Sequence, residues 1–313
     1  MSKKEKFKMI MVNSFKGGTG KSSLALSHCI HEWKRMEESK DREETEEEIY
    51  YSNIYYVDID RLGTSMSYYL FPEGSPKPCY FENYRKGEAE QVSNEVALSP
   101  DSKGKLYAVL LNPVANRKQD YDVHGRMQQH EKNNNTIFEA QMLDFLEECM
   151  NMGTNSLFVV DCSPGLSEME RRLLKRFYDL QEKYDLCVEE LYVTTFENGQ
   201  IRKTIECLND CADEMYREKR EVSIVLNDLQ NCIKTAQKKD SGLRISWEEA
   251  AEGILGQLSD KANVKIRYKE YNEKQMKGGI VNNVKNLNNN TDAYVLLKEY
   301  REDYISEKRK DGK

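Results

Sequence analysis

The sequence predicts an α/β fold: a mostly parallel, twisted sheet of about seven to eight strands with helices on both faces. Three observations point there. Apolar runs of strand length alternate with helical patterns along the chain. The strand runs are continuously apolar, as in sheets covered on both sides. The first run leads straight into a glycine loop that opens a helix.

In chain order, the first strand is Phe7–Val12, followed by the loop Phe15-Lys16-Gly17-Gly18-Thr19-Gly20-Lys21-Ser22-Ser23. Helix Lys21–Met36 places Leu24, Ala25, His28, Cys29 and Trp33 at helical spacing. Strands follow at Ile54–Ile59, Leu106–Leu111 and Ser156–Asp161, with helix Thr136–Met150 before the last of these. Helix Glu168–Gln181, strand Leu191–Thr195, helix Gly199–Lys219 and strand Val222–Asn227 continue the alternation. Helix Trp247–Leu258, strand Val264–Tyr268 and helix Asp292–Glu307, with Tyr294, Tyr300 and Tyr304 on its docking side, complete it. Residues 1–313 read as one domain with polar insertions at about 37–52, 71–105 and 112–135, and no internal repeat. Six asparagines within Asn282–Asn290 mark a loop.

The glycine loop carries the chemistry. Gly17, Gly18 and Gly20 let successive N–H groups, including those at Thr19 and Ser23, curl around a polyphosphate at a helix N-terminus. Lys21 can reach β- and γ-phosphates, and the Ser22 hydroxyl can ligate Mg²⁺. Phe15 stands where such a loop usually has its first glycine, and a second lysine, Lys16, follows it. At the end of the second strand, Asp58 and Asp60 are two apart and so share a side, beside the loop. The apolar run Leu157–Val160 delivers Asp161 to the carboxyl end of its strand, where ligands bind in open α/β sheets, and Cys162-Ser163-Pro164-Gly165 follows.

These motifs resemble the ParA/MinD family of deviant Walker A ATPases, over positions 7 to 227 and in the family's order. The segment Tyr107–Arg117 resembles that family's third strand and following loop; beyond Asn227 only the coarse element pattern is similar. The resemblance implies an ATP-dependent dimerising switch of ParA type, a Mg²⁺-dependent ATPase serving plasmid or chromosome partition or cargo positioning. It implies catalytic roles for Lys16, Lys21 and Asp60. Lys16 would act on the nucleotide of the other subunit and Asp60 would position the attacking water. Residues Lys16 to Ser23 would bind ATP, with Asn227 reading the adenine edge; Ser22, Asp58 and Asp161 would serve Mg²⁺, and Gly165 would let a switch loop sense the γ-phosphate. The guanine-reading pattern Asn-Lys-x-Asp is missing after Asn227, which favours ATP over GTP. Implied partners are a second copy on ATP binding, non-specific DNA and a stimulating ParB-like or cargo adaptor protein, in the cytoplasm and at the nucleoid. Candidate DNA contacts are Lys234, Lys238, Lys239, Lys265, Arg267 and Lys269.

Other classes are weighed against specific residues. A P-loop tyrosine kinase is suggested by Asp60-Arg61 and the tyrosine-rich tail, but Lys16 fits the deviant loop. A MinD-like role on a membrane would need an amphipathic terminal helix, and the ending Tyr304–Asp311 has almost no apolar face after Ile305. An iron–sulfur carrier would need paired cysteines; the eight here lie singly. His28 and His31, three apart, have no further ligands beside them and read as a helix face.

A hydrophobic share of 38% can build a core, while 32% charged residues and a mean hydropathy of −0.81 imply long solvated excursions; the net charge is −7. That charge is unevenly spread. Glu37–Glu48 holds eight acids and two bases, a net of −6, whereas Lys261–Lys313 holds thirteen bases and eight acids, a net of +5. No apolar stretch reaches membrane-span length, and the start Met-Ser-Lys-Lys-Glu-Lys has no apolar leader.

Overall fold

In the computed structural model, the described residues are 6–38, 51–60, 66–71, 77–81, 83, 92–96, 105–111, 127–165, 167–195, 197–227, 246–269 and 297–299. The strands are β1 (Phe7–Ser14), β2 (Asn53–Asp58), β3 (Asn94–Val96), β4 (Lys105–Val109), β5 (Ser156–Pro164), β6 (Leu186–Thr195), β7 (Glu221–Asn227), β8 (Val264–Lys269) and β9 (Leu297–Glu299). They form one sheet in the order β3-β4-β2-β5-β1-β6-β7-β8-β9. The seven inner strands are parallel, and each corresponds to one of the seven apolar runs in the sequence; β3 and β9 pair antiparallel at the two edges.

The helices are α1 (Lys21–Glu38), α2 (Met66–Leu70), α3 (Met127–Asn151), α4 (Glu168–Tyr184), α5 (Asn198–Asp210), α6 (Ala212–Glu218) and α7 (Trp247–Leu255). Alternation along β1 divides the core. Ile10 and Val12 face α1 with Leu24, Ile30 and Trp33, while Phe7, Met9 and Met11 face α3 and α4 with Phe145, Leu173 and Phe177. Farther along that second face, Ile224 and Leu226 of β7 pack with Ile205 of α5, Met215 of α6 and Ile254 of α7. Burying such side chains stabilises the sheet by about 1.5–3 kcal/mol each.

Several boundaries differ from the sequence reading. Strand β6 begins at Leu186, not Leu191, because Glu189 and Glu190 are buried in it. Each carboxylate has charged partners: Glu189 meets Lys8 at 2.9 Å and Arg267 at 2.5 Å, and Glu190 takes two 2.6 Å bonds from Arg220. Burial alone would raise the Glu189 carboxyl, but Lys8 and Arg267 bring it down to about 2. The expected helix Gly199–Lys219 is two helices, broken at Cys211, whose backbone leaves helical geometry at φ −97° and ψ 1°. Helix α3 starts at Met127, ahead of Thr136, and α7 ends at Leu255. The expected helix Asp292–Glu307 is overturned where it is described: Leu297–Glu299 is a strand, paired with Arg267–Lys269.

Candidate functional site

Strand β1 ends at the middle of the sheet, between β5 and β6, so the glycine loop sits over the carboxyl ends of three parallel strands. Gly18 and Gly20 adopt φ of 79° and 82°, a region costly for other residues, and this reversal starts α1 at Lys21. The bond from the Leu24 N–H to the Gly20 carbonyl, 2.9 Å, closes the first turn.

Lys21 lies buried inside this crown. Its Nζ meets the Asp161 carboxylate, the Asp60 carboxylate at 3.4 Å and the Ser22 hydroxyl at 3.4 Å. Burial alone would lower the ammonium's pKa, but Asp161 and Asp60 outweigh it and raise it. Asp58, the last residue of β2, accepts the Asp60 N–H at 2.9 Å. Burial, and then the adjacent Asp161 carboxylate, pushes the Asp58 carboxyl well above its ordinary range. One buried cation therefore faces three carboxylates.

The expected residues Lys21, Ser22, Asp58, Asp60 and Asp161 are thus brought together. Thr19 is buried beneath the loop, and Asn227 at the end of β7 donates to its carbonyl at 2.5 Å, so Asn227 reaches the loop itself. Ser23 lies outside this cluster, its carbonyl accepting the Ser27 hydroxyl at 2.6 Å. Lys16, Gly17 and Gly18 are exposed at the lip. Lys16 pairs elsewhere: its Nζ lies 3.3 Å from Glu197, which holds the N-cap position of α5 without a side-chain capping bond.

Two holding groups went unrecognised in the sequence. The Tyr56 hydroxyl donates to Asp161 at 2.7 Å from within the apolar strand β2, a position that reads as plain core. Glu170, fully buried, accepts the Ser163 N–H and, at 2.6 Å, the Ser167 N–H, clamping the loop after Asp161 onto α4. Its signal was the spacing Ser167-x-x-Glu170, a helix-capping pair. The Gly165 N–H ties that loop to the Ser14 carbonyl at 2.7 Å, beside the lip. Strand β5 carries one residue more than β1 between the pairs Val12–Asp161 and Ser14–Pro164, and this irregularity swings the loop away from the sheet.

Of the candidate DNA contacts, Arg267 is overturned: it is buried and paired with Glu189. Lys234, Lys238 and Lys239 lie outside the described residues.

Apo McdA from Cyanthece is similar to this chain at a TM-score of 0.51 and 12% identity, covering 90% of this chain and 93% of that one. The two share a fold. Also similar are a plasmid partition protein from Borrelia burgdorferi B31 bound to AMPPNP (TM-score 0.48, 12% identity, 96% and 94% covered) and pnob8 ParA (0.47, 10%, 82% and 76%). No protein-family model matches the sequence, and no curated protein does.

Proposed function

We propose that the protein is a Mg²⁺-dependent ATPase of ParA type: a switch that dimerises on ATP and, by hydrolysing it, drives plasmid or chromosome partition or the positioning of another cargo on non-specific DNA. The observation that carries this reading is the division of labour between two lysines of one glycine loop. Lys21 is buried against Asp60 and Asp161, while Lys16 stands exposed at the lip, paired with the exposed Glu197.

Lys21 would exchange its carboxylate partners for the β- and γ-phosphate oxygens, with the loop N–H groups around them. Asp60, released from Lys21, would orient the attacking water. Lys16 would meet the triphosphate of a second subunit, in a seam dry enough to strengthen the contact. The donor set suits Mg²⁺: a hydroxyl and two carboxylates, from Ser22, Asp58 and Asp161, beside an acidic excess that a divalent cation would relieve. Among the described residues no three His, Cys, Asp or Glu side chains are arranged to hold a metal alone. Phosphate and water would therefore complete the shell, as is usual for Mg²⁺. When bound, the ion would neutralise charge on the phosphates. Asn227 would read adenine on leaving the Thr19 carbonyl. Among the described residues no helix is long and apolar enough to cross a membrane.

The test is ATP turnover with and without non-specific duplex DNA, with dimerisation followed by size-exclusion chromatography. Slow turnover alone, ATP-dependent dimers, and DNA retention that needs ATP and weakens steeply with salt are expected. Absence of ATP binding in calorimetry rejects the ATPase; DNA retention indifferent to nucleotide and salt rejects the switch.

A further inference from the structure

Phe15 stands where a phosphate loop ordinarily has glycine, and its ring does not hang free. It stacks on Tyr192 of β6, with ring centres 5.5 Å apart and planes 13° from parallel. The Tyr192 hydroxyl donates to Glu190 at 2.9 Å, Tyr178 of α4 donates to the same carboxylate at 2.9 Å, and Arg220 locks it from the other side with two 2.6 Å bonds. Arg220 also lies over the Tyr178 ring, 5.4 Å from its centre. Glu190 is fully buried, so the platform under Phe15 is rigid.

On its other side Phe15 adjoins Lys16, and the chain is next held at Thr19, which is buried and bonded to Asn227. Gly17 and Gly18 are exposed, and a side chain added at either would meet nothing. Near Lys16 the anchors are the Phe15 stack, the Ser14 hydroxyl on the Lys16 carbonyl at 3.1 Å and the exposed contact with Glu197. A lysine that must reach a phosphate on another molecule needs its Cα fixed before the partner arrives, because ordering it afterwards costs binding energy.

We infer that Phe15, braced by Tyr192 and the Glu190–Arg220 clamp, is the positioning residue for Lys16, making the platform a specificity device for the second subunit and not for the nucleotide. This rests on the reading of the protein as an ATP-dependent dimer. The platform also touches α4, the helix directly after the loop that carries Gly165, and that loop is bonded to Ser14. The lip and the loop after Asp161 are thus held by one frame.

The experiment compares the parent with Phe15→Leu, Phe15→Tyr, Tyr192→Leu and the double variant Phe15→Leu/Tyr192→Leu. It measures ATP affinity by calorimetry, ATP-dependent dimerisation by analytical ultracentrifugation, kcat, and thermal stability. Phe15→Leu is expected to bind ATP within about threefold of the parent yet lose about tenfold to 100-fold in dimerisation and kcat, the scale of a misplaced group. Phe15→Tyr should restore both, and the double variant should be no worse than either single one. If Phe15→Leu fails to fold, Tyr192→Phe reads the same coupling: it keeps the ring, drops the bond to Glu190, and should lower dimerisation more than ATP affinity. Parental dimerisation in Phe15→Leu, or in Tyr192→Phe where that stands in, overturns the inference. So does a fall of ATP affinity and dimerisation by one common factor, which would make Phe15 ordinary core. A parent that binds ATP and stays monomeric overturns the proposed function, and the inference with it.

Discussion

Two buried charge clusters, one centred on Glu190 in β6 and one on Lys21 at the ends of β2 and β5, are built on opposite terms. In the Glu190 cluster one carboxylate meets one guanidinium in a two-bonded fork, and two tyrosine hydroxyls fill the remaining acceptor positions. Charge and hydrogen bonds both balance. In the Lys21 cluster one ammonium serves Asp60 and Asp161, with Asp58 behind them, so the charges do not balance. Balanced buried charge is architecture; an unbalanced cluster, at the strand ends where ligands bind, has the form of a site prepared for something not in the chain.

The sharpest way to break that contrast is Glu190→Gln. It strands Arg220 in the interior and should cost about 3–5 kcal/mol of stability, read from the denaturant midpoint. A loss below about 1 kcal/mol would mean the fork is not structural. Next in size is Lys21→Ala, expected to weaken ATP binding about 100-fold in calorimetry by removing the charge on the phosphates. Unchanged affinity would remove nucleotide binding from the comparison altogether. The smallest effect has the opposite sign. Asp58→Asn removes a carboxyl whose ionised form burial and Asp161 already disfavour, so the nucleotide-free protein should gain about 1 kcal/mol of stability at neutral pH, while Mg²⁺-dependent ATP binding weakens. Destabilisation instead would show that the three carboxylates are no excess.

Much of this was legible in the sequence, for identifiable reasons. Most of the seven parallel strands stand out because a strand buried on both faces is largely apolar, as Leu157-Phe158-Val159-Val160 is, while Val264-Lys265-Ile266-Arg267-Tyr268 stands out by alternation. The glycine loop and the aspartates are legible because their spacing is dictated by strand ends and a phosphate-sized gap. What escaped was polar and paired at a distance. Glu189 and Glu190 look like the end of a strand until Lys8, Arg220 and Arg267, each from another part of the chain, are seen to neutralise them. Tyr56 looks like core until its hydroxyl finds Asp161, 105 residues on. The two edge strands, three residues each, are too short to leave any periodicity.

Those edges bear on how copies of the chain can meet. A long bare edge strand is an invitation to any extended peptide, because its unpaired N–H and C=O groups template another strand. Here the described edges are β3 and β9, stubs that run against the grain of the sheet, and at one of them Lys105 and Glu95 are bonded at 3.0 Å. A stub of three residues gives a newcomer little to register against. As far as the described residues go, these short antiparallel edges discourage growth of the sheet from one molecule into the next.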